Sequence, residues 1–346
     1  MAKRRLSKQQ LRRIRTQQEQ RSDASNDERP VDREQTDELG AEQEGIVVCH
    51  YGRQLDIEST EKPGFVVRCH QRSNLPPLVT GDHVVWQPEN EHSGVIVALK
   101  PRRTELLRPG ARGQLRPVAA NIDTVMIVIA PVPRPHANLI DRYLVAIEHL
   151  GLQPVLLLNK ADLMDTQVPD QADREALQAL IRQYAGIGYT VLETSCETDL
   201  NLEPLTVLLR KRTSIFVGQS GVGKSSLINR LLARDDSADK AAAVGALSTA
   251  RGKGTHTTTA TRLYHLPDGG DLIDSPGIRE FGLWQLDAGE VLEGFIEFRP
   301  YLGLCRFRDC SHRHEPGCAL QAAIEAGEVS ADRLDSYFHI ISDSPD

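Results

Sequence analysis

Nowhere in its 346 residues does the chain carry an apolar run near the length of a bilayer span, and the basic opening MAKRRLSKQQLRRIR lacks the apolar stretch of an export signal. A membrane-spanning or secreted protein is not expected; the cytoplasm is. Cysteine is scarce too: six thiols without an export signal point to a reducing compartment, where a cluster of them reads as a metal site before a disulfide framework. Large apolar side chains are almost missing before Glu44. Met1 to Arg21 holds eight Lys/Arg and one acidic residue, and Ser22 to Glu44 holds nine Asp/Glu and two Arg. Such an arm cannot bury enough surface to order itself, so residues 1–44 are expected to be disordered in isolation. The net charge of −7 argues against nucleic acid only as a sum, because the basic residues are grouped.

From Gly45 onward the pattern becomes that of short strands. GIVVCHYG, QLDIES, GFVVRCH, DHVVWQP and GVIVALK alternate or run apolar at strand length between Gly, Pro, Asn and Asp punctuation. Five such strands predict a small antiparallel barrel of the OB type over 45–108. Barrels of this kind often bind oligonucleotides, yet only Tyr51, Phe65 and Trp86 are available for stacking, and the last two are also core candidates. Arg102, Arg103, Arg108, Arg112 and Arg116 just downstream favour a nucleic-acid partner.

Beyond Asn121 strands alternate with amphipathic helices: TVMIVIAP, NLIDRYLVAIEHLG, QPVLLLNK, DREALQALIRQYAGIG, YTVLETS and LEPLTVLLRKR. That order builds an α/β sheet covered on both faces, with ligands beyond the carboxyl ends of its strands.

The chain is organised around TSIFVGQSGVGKSSLINRLL. An apolar strand runs into Gly218, Gln219, Ser220, Gly221, Val222, Gly223, Lys224, Ser225 and Ser226, and then into a helix. This is G-x-x-x-x-G-K-[ST] in the strand-to-helix setting that gives the motif meaning. Glycines let backbone N–H groups ring a polyphosphate, the helix adds its positive end, Lys224 reaches the β/γ-phosphates and Ser225 suits Mg²⁺. Asn159-Lys160-Ala161-Asp162 follows the VLLLN strand. A carboxylate at Asp162 accepts from N1–H and the exocyclic amine of guanine, a donor pair that adenine lacks; Asn159 would help hold the base edge and the stem of Lys160 would cover the ring. Ser195 and Cys196, at the next strand end, match in position the loop that closes over the base. RGKGTHTTT suits a switch segment ordered by Mg²⁺ and the γ-phosphate. Asp274-Ser275-Pro276-Gly277 gives D-x-x-G, with Asp274 toward the Mg²⁺ shell and the Gly277 N–H toward the γ-phosphate. NKAD precedes the phosphate loop, the reverse of the usual order, which a circular permutation explains. The segment leaving Gly277 then runs directly into the C-terminal region.

There, Cys305-x4-Cys310-x-His312-x5-Cys318 supplies a Cys₃His set suited to tetrahedral Zn²⁺, closed and structural, with His314 as an alternative to His312. A metabolic kinase or ATPase would give no reason for NKAD. A nucleotide-stabilised RNA-binding protein without a hydrolytic switch role is the other alternative.

On these residues the chain resembles the RsgA (YjeQ) family of circularly permuted GTPases, from Gly45 to its end. The resemblance implies three parts after the arm of 1–44: an OB-fold barrel over 45–108, a circularly permuted GTPase domain over 109–283 and a helical zinc-binding domain over 284–346. It implies a GTP hydrolase acting late in small ribosomal subunit assembly, monomeric, binding that subunit and its rRNA, and stimulated by it. Asn159, Lys160 and Asp162 would read guanine, Gly218 to Ser226 hold phosphate and Mg²⁺, and Cys305, Cys310, His312 and Cys318 bind zinc. The residue after Gly277 is Ile278, where an aliphatic side chain cannot orient water, so His256 in the HTTT segment becomes the candidate for that task. Thr258, or else Thr257, would offer a hydroxyl to Mg²⁺.

Overall fold

A computed structural model describes residues 39–52, 54–109, 114–168, 170–233, 261–274 and 286–343. The arm before residue 39 and the threonine-rich segment up to residue 260 lie outside them, as do Ser275 to Phe281.

The five expected strands close into a barrel. They are β1 (Gln43–His50), β2 (Gln54–Ser59), β3 (Val66–Gln71), β4 (His83–Pro88) and β5 (Ser93–Leu99), ordered β1-β2-β3-β5-β4 with β4 paired back to β1. Side chains of alternating parity point inward, so Val47, Leu55, Ile57, Val67, Trp86 and Ile96 form the interior. Trp86 is therefore core and unavailable for stacking. Tyr51 and Phe65 stay exposed, at 42 % and 43 %, and the Arg68 guanidinium lies 4.7 Å from the Tyr51 ring centroid.

A hairpin that the sequence pattern does not announce follows: β6 (Glu105–Pro109) against β7 (Leu115–Ala120). It divides the basic residues of this region. The side chain of Arg102 is 9 % exposed, and its guanidinium donates to Asp82, Glu105 and the Pro77 carbonyl. It is an internal strut, not a phosphate contact as the sequence suggested. Arg103 pairs with Asp123 at 2.8 Å, while Arg108 and Arg116 stand exposed. Arg112 lies outside the described residues.

The α/β sheet runs β10 (Thr190–Glu193), β9 (Gln153–Leu158), β8 (Thr124–Ile129), β11 (Thr213–Val217), β13 (Asp271–Asp274), β12 (Arg262–His265), all parallel except β12. Alternation along β8 explains its two coats. Val125, Ile127 and Ile129 pack on one face with Tyr143 and Leu144 of α1 (Ala137–His149), whereas Met126 and Val128 pack on the other with Leu205, Leu209 and Leu227. After the short α2 (Met164–Gln167), α3 (Gln171–Ile187) begins where the Asp170 carboxylate accepts from the Ala172 N–H and stops at Gly188, whose φ of 114° few other residues adopt. α4 (Leu202–Leu209) and α5 (Lys224–Leu232) complete the layer. Cys49 of β1 pairs with Arg262 of β12, so barrel and α/β layer share one continuous sheet.

The C-terminal part holds α6 (Ala288–Glu293), opened by a reciprocal Asp287/Glu290 cap, a 3₁₀ turn over Ile296–Tyr301, α7 (Ala319–Glu325) and α8 (Ala331–Ser342). Stacked Phe295 and Phe298 centre its core, which also takes in Val145 of α1. Gly294 makes that contact feasible: a β-carbon there would lie 2.5 Å from a Val145 methyl. The fully enclosed Arg333 crosses from α8 to ion-pair with Asp141 of α1 and, at 2.5 Å, with Glu297. Among the described residues no helix is long and apolar enough to cross a membrane.

Candidate nucleotide site and metal centre

The carboxyl ends of β8, β9, β10, β11 and β13 converge on one mouth, where all the described nucleotide-site candidates lie. Gly218 leaves β11 at φ 137°, and a β-carbon there would sit 2.2 Å from the Val128 carbonyl oxygen. Only glycine lets the loop lie this close to β8. Gly221 and Gly223 also have positive φ, and α5 starts at Lys224 with Gly223 as its cap. The backbone thus turns its N–H groups and a helix start toward one spot. The Lys224 ammonium donates to the carbonyls of Gly218 and Gln219, each at 2.6 Å, and arches over the loop. Ser225 is half-buried and Ser226 exposed at the first turn of α5.

NKAD meets this loop from the other side. Asn159 is 2 % exposed, and its carboxamide donates to the Val222 carbonyl at 2.9 Å while accepting from the Thr194 hydroxyl at 3.4 Å. Its side chain braces the two loops. Lys160 takes a left-handed conformation, φ 59°, and its ammonium donates to the Gly221 carbonyl at 2.6 Å and the Val132 carbonyl at 3.4 Å, laying the stem across the mouth. Asp162 opens the short turn over Ala161–Leu163, and its Oδ1 is buried without a hydrogen-bond partner. A shielded carboxylate oxygen with no donor costs about 1–3 kcal/mol or more, so the turn is built around a donor from outside. The buried Ser195 hydroxyl accepts from the N–H groups of Glu197 and Thr198, which shapes the loop beside Asp162, and burial raises the thiol pKa of the neighbouring Cys196. Asp274 ends β13, in register with Arg262. His256, Thr257, Thr258 and Gly277 lie outside the described residues.

Val132 is the lining residue that sequence reasoning missed. It contributes through its carbonyl, a role that side-chain identity does not advertise.

At the other end of the molecule one ligand atom each from Cys305, Cys310, His312 and Cys318 lies within 4.8 Å of all the others. The Cys305–Cys318 sulfur separation is 3.9 Å. Tetrahedral zinc with bonds of about 2.3 Å would need about 3.8 Å, so the donor set fits the ion. His312 Nδ1 lies 3.4 Å from the Cys318 sulfur and 3.6 Å from that of Cys305, which selects His312 over His314. The backbone around it is fixed from outside. Glu315 accepts from the N–H groups of Ser311, Arg313 and His314, contacts that with the Ser311 hydroxyl pull its carboxyl down to about 2, and Gln321 donates to the His312 carbonyl at 2.7 Å. Ala319 N–H points at the Cys305 sulfur. Four protein ligands leave no open position, which makes the zinc site structural.

The family model described as RsgA GTPase matches residues 99–284. "Small ribosomal subunit biogenesis GTPase RsgA" of Ectopseudomonas mendocina is 54 % identical over 350 residues, spanning 100 % of this chain and 99 % of the relative. The protein of the same description from Pseudomonas aeruginosa strain LESB58 is 53 % identical over 348 residues, with the same coverage of 100 % and 99 %. Among solved structures, YjeQ from Thermotoga maritima is 29 % identical with a TM-score of 0.69, covering 87 % of this chain and 98 % of that one. YloQ, a circularly permuted GTPase, is 26 % identical with a TM-score of 0.65, covering 90 % and 97 %.

Proposed function

The chain belongs to the RsgA GTPase family, and from that premise we propose that it hydrolyses GTP to GDP and phosphate as a late maturation factor of the small ribosomal subunit. On this reading it is a cytoplasmic monomer that binds the subunit and its rRNA and changes affinity with nucleotide state. The observation that carries the guanine assignment is the buried, unpartnered Oδ1 of Asp162 beside a complete phosphate loop. Guanine offers two adjacent donors to that carboxylate; adenine offers its amine alone, in another place.

Asp162 would fix the base, the stem of Lys160 would cover it, and the backbone of Gly218 to Ser226 with the Lys224 ammonium would hold the phosphates. Lys224 must then exchange its two carbonyl partners for phosphate oxygens. Ser225 and Thr258 would hold Mg²⁺, with Asp274 in the outer shell; that ion supplies neutralisation of charge across the β- and γ-oxygens. Ser195 and Cys196 would close the base pocket, and the Gly277 N–H would report the third phosphate. His256 would orient the attacking water, since Ile278 cannot. The part C-terminal to Gly277 would transmit the change to the zinc-binding region.

Co-sedimentation with small subunits tests the switch: binding should differ between GDP and a non-hydrolysable GTP analogue. Equal binding in the two states would favour a passive RNA-binding protein. Asp162→Ala should abolish the preference for GTP over ATP. His256→Ala should leave GTP affinity near wild type while strongly lowering subunit-stimulated turnover.

A further inference from the structure

Arg108 and Arg116 face each other in register across the β6–β7 hairpin, both exposed on the same side. Like charges directly opposite destabilise a strand pair. Among the described residues neither guanidinium has a carboxylate within ion-pair distance, although Arg102 and Arg103, a few positions away, are each paired. The two cations stand at a cleft of about 570 Å³ between hairpin and barrel. Drug- and nucleotide-sized ligands occupy pockets of about 300–1,000 Å³, so the space is sufficient. Its remaining walls are of two kinds: Leu78, Val79 and Pro117 are apolar, whereas Thr80, Gln114 and Thr261 offer hydrogen-bonding groups.

We propose that this cleft is a second nucleotide-binding site, separate from the guanine pocket, which takes one nucleotide unit with its phosphate on Arg108 and Arg116 and its base along the apolar wall. Paired guanidiniums match phosphate oxygens in the planar, bidentate way that a lysine cannot. None of the lining residues belongs to the phosphate loop, NKAD or the zinc cluster. The unit comes either from a single-stranded RNA chain or from a free nucleotide; in the first case the inference rests on the rRNA-binding reading above.

The full-length protein, with its guanine site saturated by GDP, would be titrated with a fluorescein-labelled ten-nucleotide single-stranded RNA and, separately, with UMP and AMP. Arg108→Gln/Arg116→Gln would be compared with a charge-matched control, Arg182→Gln/Lys211→Gln, whose residues are exposed elsewhere on the α/β layer. All proteins should share one GTP affinity and one melting temperature, because the four side chains lie on the surface. The cleft variant should lose at least tenfold in affinity for whichever probe the wild type binds, and the control should not. If RNA is the probe, the slope of log K against log salt should shrink by about 1.4, the value for two single-strand phosphate contacts. Saturable UMP or AMP binding that competes with RNA identifies a free nucleotide; RNA binding without it identifies a strand. Equal affinity of the cleft variant and wild type, or an equal loss in the control, overturns the site and leaves the ribosomal reading intact. Wild-type protein that fails to co-sediment with subunits overturns that reading instead, and the free-nucleotide titration then decides the cleft alone.

Discussion

The carboxamide of Asn159 donates to the carbonyl of Val222, so a single buried side chain ties the loop expected to read the base to the loop expected to hold the phosphates. Asn159→Ala leaves that carbonyl without its donor inside the protein. It should weaken GTP and GDP binding together, with a stability loss of about 1–3 kcal/mol. Calorimetric titration with both nucleotides checks this; a loss confined to GTP would show that Asn159 does not brace the two loops.

Arg333 and Asp141 join the zinc-binding region to α1 in a site that excludes water. Burial raises the Asp141 carboxyl, and Arg333 with the hydroxyl of Tyr184 opposes that rise. Arg333→Met removes the counter-charge and should cost about 3–5 kcal/mol in urea unfolding, while Arg333→Met/Asp141→Leu should recover most of it. A single-variant cost under about 0.5 kcal/mol, as at ordinary surface positions, would deny the pair a structural role.

His265 bridges the α/β layer and the barrel: Nδ1 lies 2.6 Å from Asp271 and Nε2 lies 2.7 Å from Glu58 of β2. The bond to Asp271, helped by Glu58 and opposed by burial, raises the imidazole from its ordinary 6.5 to about 9. A folded-state pKa above the unfolded one stabilises fully below about 6.5 and fades as pH rises through about 9. Unfolding free energy should therefore decline over that window in the wild type and decline less in His265→Gln. Parallel pH profiles for the two proteins would refute the bridge.

The metal centre should bind one zinc per chain. His312→Ala should lose it and His314→Ala retain it, as measured by metal content after gel filtration. Chelation should loosen the core around Phe295 and Phe298 and lower the melting temperature of the C-terminal region. A His314→Ala protein without zinc would reverse the ligand assignment.

Periodicity made the barrel and the α/β layer legible, because both bury strands whose alternation or apolar length is set by what covers them. GIVVCHYG and TVMIVIAP needed no tertiary information. The β6–β7 hairpin did: LRPVAA contains a proline and does not alternate, and its position is fixed by contacts such as the bridge between Thr80 and Ala119. The phosphate loop, NKAD and the zinc ligands are visible as motifs because each needs particular residues at particular spacing. Arg102 misled for the opposite reason, since an arginine facing phosphate and one facing Asp82 are identical until the chain folds. Asp141 left a faint trace, a carboxylate beside Ile140 on the apolar stripe of an otherwise ordinary helix.

The pairing of Cys49 with Arg262 also bears on self-association. An open α/β sheet ordinarily presents two borders of unpaired backbone to which another strand could add. Here the barrel occupies one of them, and the remaining border is β10, only four residues long from Thr190 to Glu193. Polymerisation by strand addition is thereby confined to a foothold too short to sustain it, and the second domain doubles as a seal.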